Sequence, residues 1–165
     1  MIKHTVKSAL KISANISPKF SAKAHYYFKF KKKLNLTNPT RFNEKIQWLK
    51  FNEFSNDIYT LCADKYKVRE YVISKGCGET LNELIGVYDS PQEIDYDALP
   101  EKFALKCNHG AGYNIICDDK SSLDIKSTNL QLAKWLRQDF SSLFIEPQYK
   151  KIERKILCEK YIENE

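Results

Sequence analysis

Apolar residues in this 165-residue chain recur first at helical spacing and later in short extended runs, which predicts helices in front and a sheet behind. The break at Asn38-Pro39 leads into Thr40 as an N-cap, with Glu44 in the first turn and Phe42, Ile46 and Leu49 on one face. A helix of about twelve residues is expected there. Asp57 is expected to cap a second helix, whose stripe of Ile58, Leu61, Cys62, Tyr66 and Val72 runs to Gly76 and leaves Asp64, Lys65 and Arg69 near one edge. Residues 84–88, 103–107 and 155–162 read as strands, and residues 90–94 as a brief helical turn. Residues 108–112 supply a turn tolerant of positive φ, after which 113–117 return as a partner strand, so 102–117 is a glycine-tipped hairpin. Leu132, Ala133, Leu136 and Phe140 mark one side of a helix over 127–140.

Composition makes this a foldable chain, because 42% of its residues are hydrophobic and 29% charged, an ordinary globular balance. The net charge of +6 hides an asymmetry: residues 1–43 hold ten Lys or Arg and no Asp or Glu, leaving 17 basic against 21 acidic residues behind. Residues 1–37 therefore read as a basic arm ending in the aromatic run His25-Tyr-Tyr-Phe-Lys-Phe-Lys-Lys-Lys33. Such a run packs a helix against the body, stacks nucleic-acid bases, or contacts anionic lipid through residues 1–33. Nothing in it points to a specific nucleic acid. The absence of an 18-residue apolar window and of a continuous apolar leader predicts a cytoplasmic protein, with the inner face of the membrane as its one lipid contact. Five scattered cysteines without a C-x-x-C pair predict reduced, mostly buried thiols and neither a disulfide framework nor a zinc site.

Candidate chemistry concentrates on the hairpin. A lysine at a strand end followed by a glycine turn can grip phosphate, since the ammonium supplies charge and small residues let backbone N–H groups approach the oxygens. Lys106 and residues 108–112 fit that description, although a hairpin tip built for positive φ explains the glycines equally well. Lys65 and Arg69 are either a phosphate-facing edge or the solvated side of a helix. Asp95-Tyr-Asp97 has the spacing with which glycosyltransferases hold a metal-bound sugar nucleotide. Turn chemistry is the stronger reading of that pair, because it precedes Leu99-Pro100.

The order of these features, together with the segments Pro39-Thr-Arg-Phe-Asn-Glu-Lys-Ile-Gln-Trp-Leu-Lys50, Ala63-Asp-Lys-Tyr-Lys-Val-Arg-Glu-Tyr-Val72, Leu99-Pro-Glu-Lys-Phe-Ala-Leu-Lys-Cys-Asn-His-Gly110 and Cys158-Glu-Lys-Tyr-Ile162, resembles the TupA-like ATP-grasp family over residues 26–163. The resemblance implies a mixed α/β chain of the α+β kind, the front half of an ATP-grasp enzyme: a basic arm (1–37), a helical region (38–100), and a lid subdomain with adenine hinge (101–165). It implies ATP as cofactor, with Lys65 and Lys106 on the phosphates and the turn through Asn108, His109, Gly110 and Gly112 as a lid. Glu159 would accept from the adenine amino group, and the backbone of Lys160, Tyr161 and Ile162 would bracket the ring. Glu163 or Glu165 would meet the ribose, and His109 would touch phosphate or stabilise the turn. Members of the family join a carboxylate to an amine on a cell-surface polysaccharide, and similar chains are often labelled glycosyltransferases. The Mg2+ ligands of the fold follow the hinge, so the resemblance further implies no ligase activity from residues 1–165 alone, which are then a truncated product, one part of a split pair whose separate chain supplies the C-terminal half, or a retained binding fragment. A basic adaptor without enzymatic activity is the remaining alternative.

Overall fold

The structure is a computed structural model that describes residues 17–163. In chain order the elements are helices α1 (Pro18–Phe30), α2 (Phe42–Asn52), α3 (Asp57–Ala63) and α4 (Val68–Ser74), strands β1 (Leu84–Tyr88), β2 (Phe103–Cys107) and β3 (Asn114–Cys117), helices α5 (Ile125–Arg137) and α6 (Phe140–Phe144), and strand β4 (Ile156–Lys160). Helices and a small antiparallel sheet thus share the chain, as an α+β organisation requires. Two compact units emerge. One comprises residues 17–60 with Asp139–Lys151, the other Leu61–Gln138 with residues 152–163.

In the helical unit, Ser17 caps α1 by accepting from the Phe20 N–H at 3.3 Å, and Pro18 occupies the first turn, where its missing N–H costs nothing. Ala22 and Tyr26 are buried with Leu34, and Phe30, Leu36, Phe51 and Ile145 pack around them. Helix α2 begins later than its sequence predicts. Arg41, not Thr40, holds the N-cap position, and Glu44 Oε2 accepts from the backbone N–H groups of Thr40 and Arg41 at 3.2 and 3.1 Å. Glu44 is consequently the buried residue of this helix, while Phe42, expected on the apolar face, is exposed. Phe140 also departs from expectation: α5 ends at Arg137, and Asp139 caps a new helix by accepting from the Ser142 N–H at 3.2 Å. That restart moves Phe140 into the helical unit, where its ring packs edge-on against Tyr149 at 4.9 Å.

The second unit is built on a four-stranded sheet of order β1-β4-β2-β3, antiparallel throughout. Register pairs Phe103 with Lys160, Leu105 with Cys158 and Cys107 with Ile156, and paired residues share a face while neighbours in sequence alternate. Phe103, Leu105, Cys107, Ile156 and Cys158 therefore lie on one face, and all are inaccessible to solvent. Leu132 of α5, a helix in contact with β2, is equally inaccessible. The opposite face carries Ala104, Lys106, Leu157 and Glu159, continued by Asn114 and Ile116 on β3.

The single helix expected from Asp57 to Gly76 is interrupted at residues 64–67. Asp64 causes the break, because its carboxylate accepts from the Tyr66 and Lys67 N–H groups at 2.9 and 3.3 Å and so competes with the helical ladder. Neither α3 nor α4 contains a fully buried residue, so the predicted stripe from Ile58 to Val72 is not a core face.

Candidate nucleotide-binding site

The interruption before α4 positions Lys65 against the hairpin turn. The Lys65 backbone N–H reaches the Asn108 carbonyl at 3.5 Å, and its ammonium donates to the carbonyls of Cys107 at 3.3 Å, Asn108 at 3.5 Å and Gly110. Lys65 is thus no helix-edge residue, as periodicity predicts, but the first residue of a turn that closes over the end of β2. Burial holds its pKa below the ordinary lysine value, and the positive charge of Lys106 lowers it further against the opposing carboxylates of Asp64 and Glu159. Two cations therefore stand close enough to repel.

Lys106 projects from the face of the sheet shared with Ala104 and Leu157 and forms an ion pair with Glu159 of β4, Nζ to Oε2 at 2.6 Å. The diagonal relationship follows from register, since Ala104 faces Glu159 and Lys106 faces Leu157. Glu159 is almost wholly buried and Lys106 only partly, so the pair lies at the border of the core, one charge inside and the other reaching outward. Among the described residues, Lys106 is the one ion-pair partner of Glu159.

The turn itself is anchored from within. Asn108 is buried and uses its whole amide: Nδ2 donates to Asp64 Oδ1 at 2.9 Å and to the Glu153 carbonyl at 2.8 Å, while Oδ1 accepts from the Lys155 N–H at 2.8 Å. His109 is also buried, its Nε2 lying 3.0 Å from the Trp135 carbonyl. That carbonyl can only accept, so Nε2 carries the proton. Burial lowers the His109 pKa, outweighing the carbonyls of Trp135 and Gln138 that favour its charged form. Tyr113 stacks on Trp135 at 5.2 Å and donates to Gln138 at 2.7 Å, which fixes the far side of the turn. Gly110 is buried, and Gly112 is exposed with φ +74° in open space, a conformation that disfavours any side chain.

At the other end of the sheet, Lys160 continues the ladder to Glu83, and its carbonyl accepts from Asn82 at 2.8 Å. Beyond it, an open hollow of about 550 Å³ is bordered by Pro100, Lys102, Lys160, Tyr161 and Glu163, with the Lys102 ammonium 5.7 Å from the centre of the Tyr161 ring. Lys102 pairs with Glu163. Ile162 is largely exposed, and Glu165 lies outside the described residues.

Residues that periodicity leaves aside prove structural to the site: Asp64, Glu153 and Lys155 hold Asn108. Only Asp64 had a local signal, as a short polar side chain able to cap the helix that follows. Asp95 and Asp97 lie in a turn. Asp95 Oδ1 accepts from the N–H groups of Asp97 and Ala98 at 3.1 and 3.4 Å, an exposed turn. Among the described residues, no group of His, Cys, Asp and Glu is arranged to hold a metal ion, and no helix is long and apolar enough to cross a membrane.

A family model described as TupA-like ATPgrasp matches residues 44–165, a span that includes both lysines, the glycine turn and β4. No curated protein and no solved structure matches the chain.

Proposed function

Because the chain belongs to the TupA-like ATP-grasp family, we propose that its sheet-bearing unit binds ATP, with the triphosphate on the ammonium groups of Lys65 and Lys106. One observation carries this reading. Lys65 is half-buried with its ammonium held by backbone carbonyls, and Lys106 stands near it paired to Glu159, so two ammonium groups lie together where an anion with several acceptor oxygens would take hydrogen bonds from both. Phosphate oxygens are the natural complement, since they accept several charge-assisted hydrogen bonds at once.

In this reading Glu159 accepts from the adenine amino group through the oxygen that Lys106 does not occupy. The backbone of Lys160, Tyr161 and Ile162 brackets the ring at the hollow beyond β4, and Glu163 or Glu165 meets the ribose. Asn108 and His109 fix the base of the turn, while Gly110 and Gly112 let its tip approach the phosphates. Bound ATP would supply the phosphoryl group that activates a carboxylate for attack by an amine. The chain's own part is to orient the nucleotide and neutralise its charge. The acceptor we propose is a cell-surface polysaccharide, the substrate class that the family resemblance implies.

Thermal denaturation with ATP, ADP and UDP-glucose tests this function. ATP at 100 times its dissociation constant should stabilise the fold by about 2.7 kcal/mol. Lys65→Met and Lys106→Met should each abolish the ATP-dependent shift while leaving a cooperative unfolding transition. Stabilisation by UDP-glucose alone would transfer the protein to sugar-nucleotide chemistry.

A further inference from the structure

Helix α1 has an inner and an outer side. Ser21, Ala22 and Tyr26 are buried, whereas Phe20, Tyr27 and Phe28 remain 65%, 51% and 54% exposed. At 100° per residue, Phe20, Lys23, Ala24 and Tyr27 fall on one stripe of the helix, with Phe28 on its flank, and Lys31 follows as the left-handed C-cap. Three large rings on a solvent-facing stripe are unusual for a helix whose opposite side already fills a core. Their neighbours are uniformly cationic. Lys19, Lys23, Lys29, Lys31, Lys32 and Lys33 are all exposed, and the first acidic residue of the chain is Glu44. The Lys31 ammonium lies 5.8 Å from the centre of the Phe28 ring, so an aromatic body and a charged tip are presented together.

From this arrangement we infer that the outer face of α1 is a docking surface for an anionic lipid bilayer. Rings on the outer side of a helix can enter the interface between headgroups and acyl chains, and lysines around them meet phosphate and carboxylate headgroups. The absence of any acidic side chain over residues 17–43 removes the repulsion that would oppose such a surface. Single-stranded nucleic acid fits less well, because stacked bases need rings spaced along a groove that follows the backbone. This surface belongs to the helical unit and involves no residue assigned to nucleotide.

Co-sedimentation of the full chain with phosphatidylcholine vesicles, with and without phosphatidylserine, reads the inference directly. Binding should require phosphatidylserine and weaken as salt rises. The double variant Lys23→Ala, Lys31→Ala should lower partitioning about thirtyfold, from the usual contribution of two lysines near an anionic surface. Phe20→Ser with Phe28→Ser should lower it also at high salt, where charge is screened. Circular dichroism and an unchanged ATP shift would show that both variants remain folded. Unaltered vesicle binding in both variants would overturn the inference, as would retention on oligodeoxythymidylate without retention on vesicles.

Discussion

Asn108 donates to the buried carboxylate of Asp64 at 2.9 Å, linking the turn that precedes α4 to the turn that follows β2 across 44 residues of sequence. The same amide holds the Glu153 carbonyl and the Lys155 N–H, so one side chain joins three segments around the proposed phosphate site. Such a node is expensive to break, because each partner is left buried and unsatisfied.

Asn108→Ala should therefore destabilise the fold by about 2–4 kcal/mol, beyond the loss of one ordinary hydrogen bond. Urea denaturation with an unchanged slope would register it as a lower midpoint. A loss under about 0.5 kcal/mol would mean that the three segments are held independently.

Lys106 and Glu159 offer a coupling test. Lys106→Met leaves the Glu159 carboxylate at the edge of the core without its 2.6 Å partner. The expected cost is on the order of 2 kcal/mol, between the values for exposed and buried pairs. Adding Glu159→Gln should recover much of it, and a double-mutant cycle measures the recovery.

Lys65 should give ATP binding a characteristic pH dependence. Burial and Lys106 hold its pKa below the ordinary 10.5, so the ammonium is lost earlier on the alkaline side than for an exposed lysine. Titration calorimetry should show ATP affinity falling there, and Lys65→Arg should flatten the fall because a guanidinium stays charged. The stability sign is opposite: between the folded and unfolded pKa values the unfolded chain holds more protons, so this group's contribution to stability rises with pH.

His109 acts at the other end of the scale. Its folded pKa lies below the ordinary 6.5, so on acidification the unfolded chain takes up the proton first. Stability should fall as pH drops from about 6.5 towards the folded pKa. His109→Gln should shrink that decline, as measured by urea midpoints at pH 7.5 and pH 5.5 (roughly one unit either side of the ordinary histidine value).

Thiol accessibility checks the packing of the sheet. Cys62 and Cys77 are exposed, whereas Cys107, Cys117 and Cys158 are buried, and burial pushes the Cys107 thiol up to about 12. Iodoacetamide should modify two thiols in the native protein and five after denaturation, counted by mass spectrometry.

Local chemistry determined the strands and the hairpin. Apolar runs bounded by proline, glycine and asparagine specify β1, β2 and β3 without help from distant residues, and the glycine at 112 answers a left-handed backbone. The family was likewise legible, because short motifs survive in sequence whatever the packing around them. The break at Asp64 was not, since the stripe from Ile58 to Val72 continues a helical period through it. What ends that helix is a local competition, the Asp64 carboxylate accepting from the Tyr66 and Lys67 N–H groups, and apolar periodicity does not register a polar side chain that caps its own backbone. Phe140 failed for the same reason: its spacing suits α5, but Asp139 restarts the helix and its ring packs on Tyr149. Sequence thus named Lys65 and Lys106, while tertiary structure decided that one is half-buried at a turn and the other paired at a sheet surface. Burial depends on which segments meet, and only the folded chain brings them together.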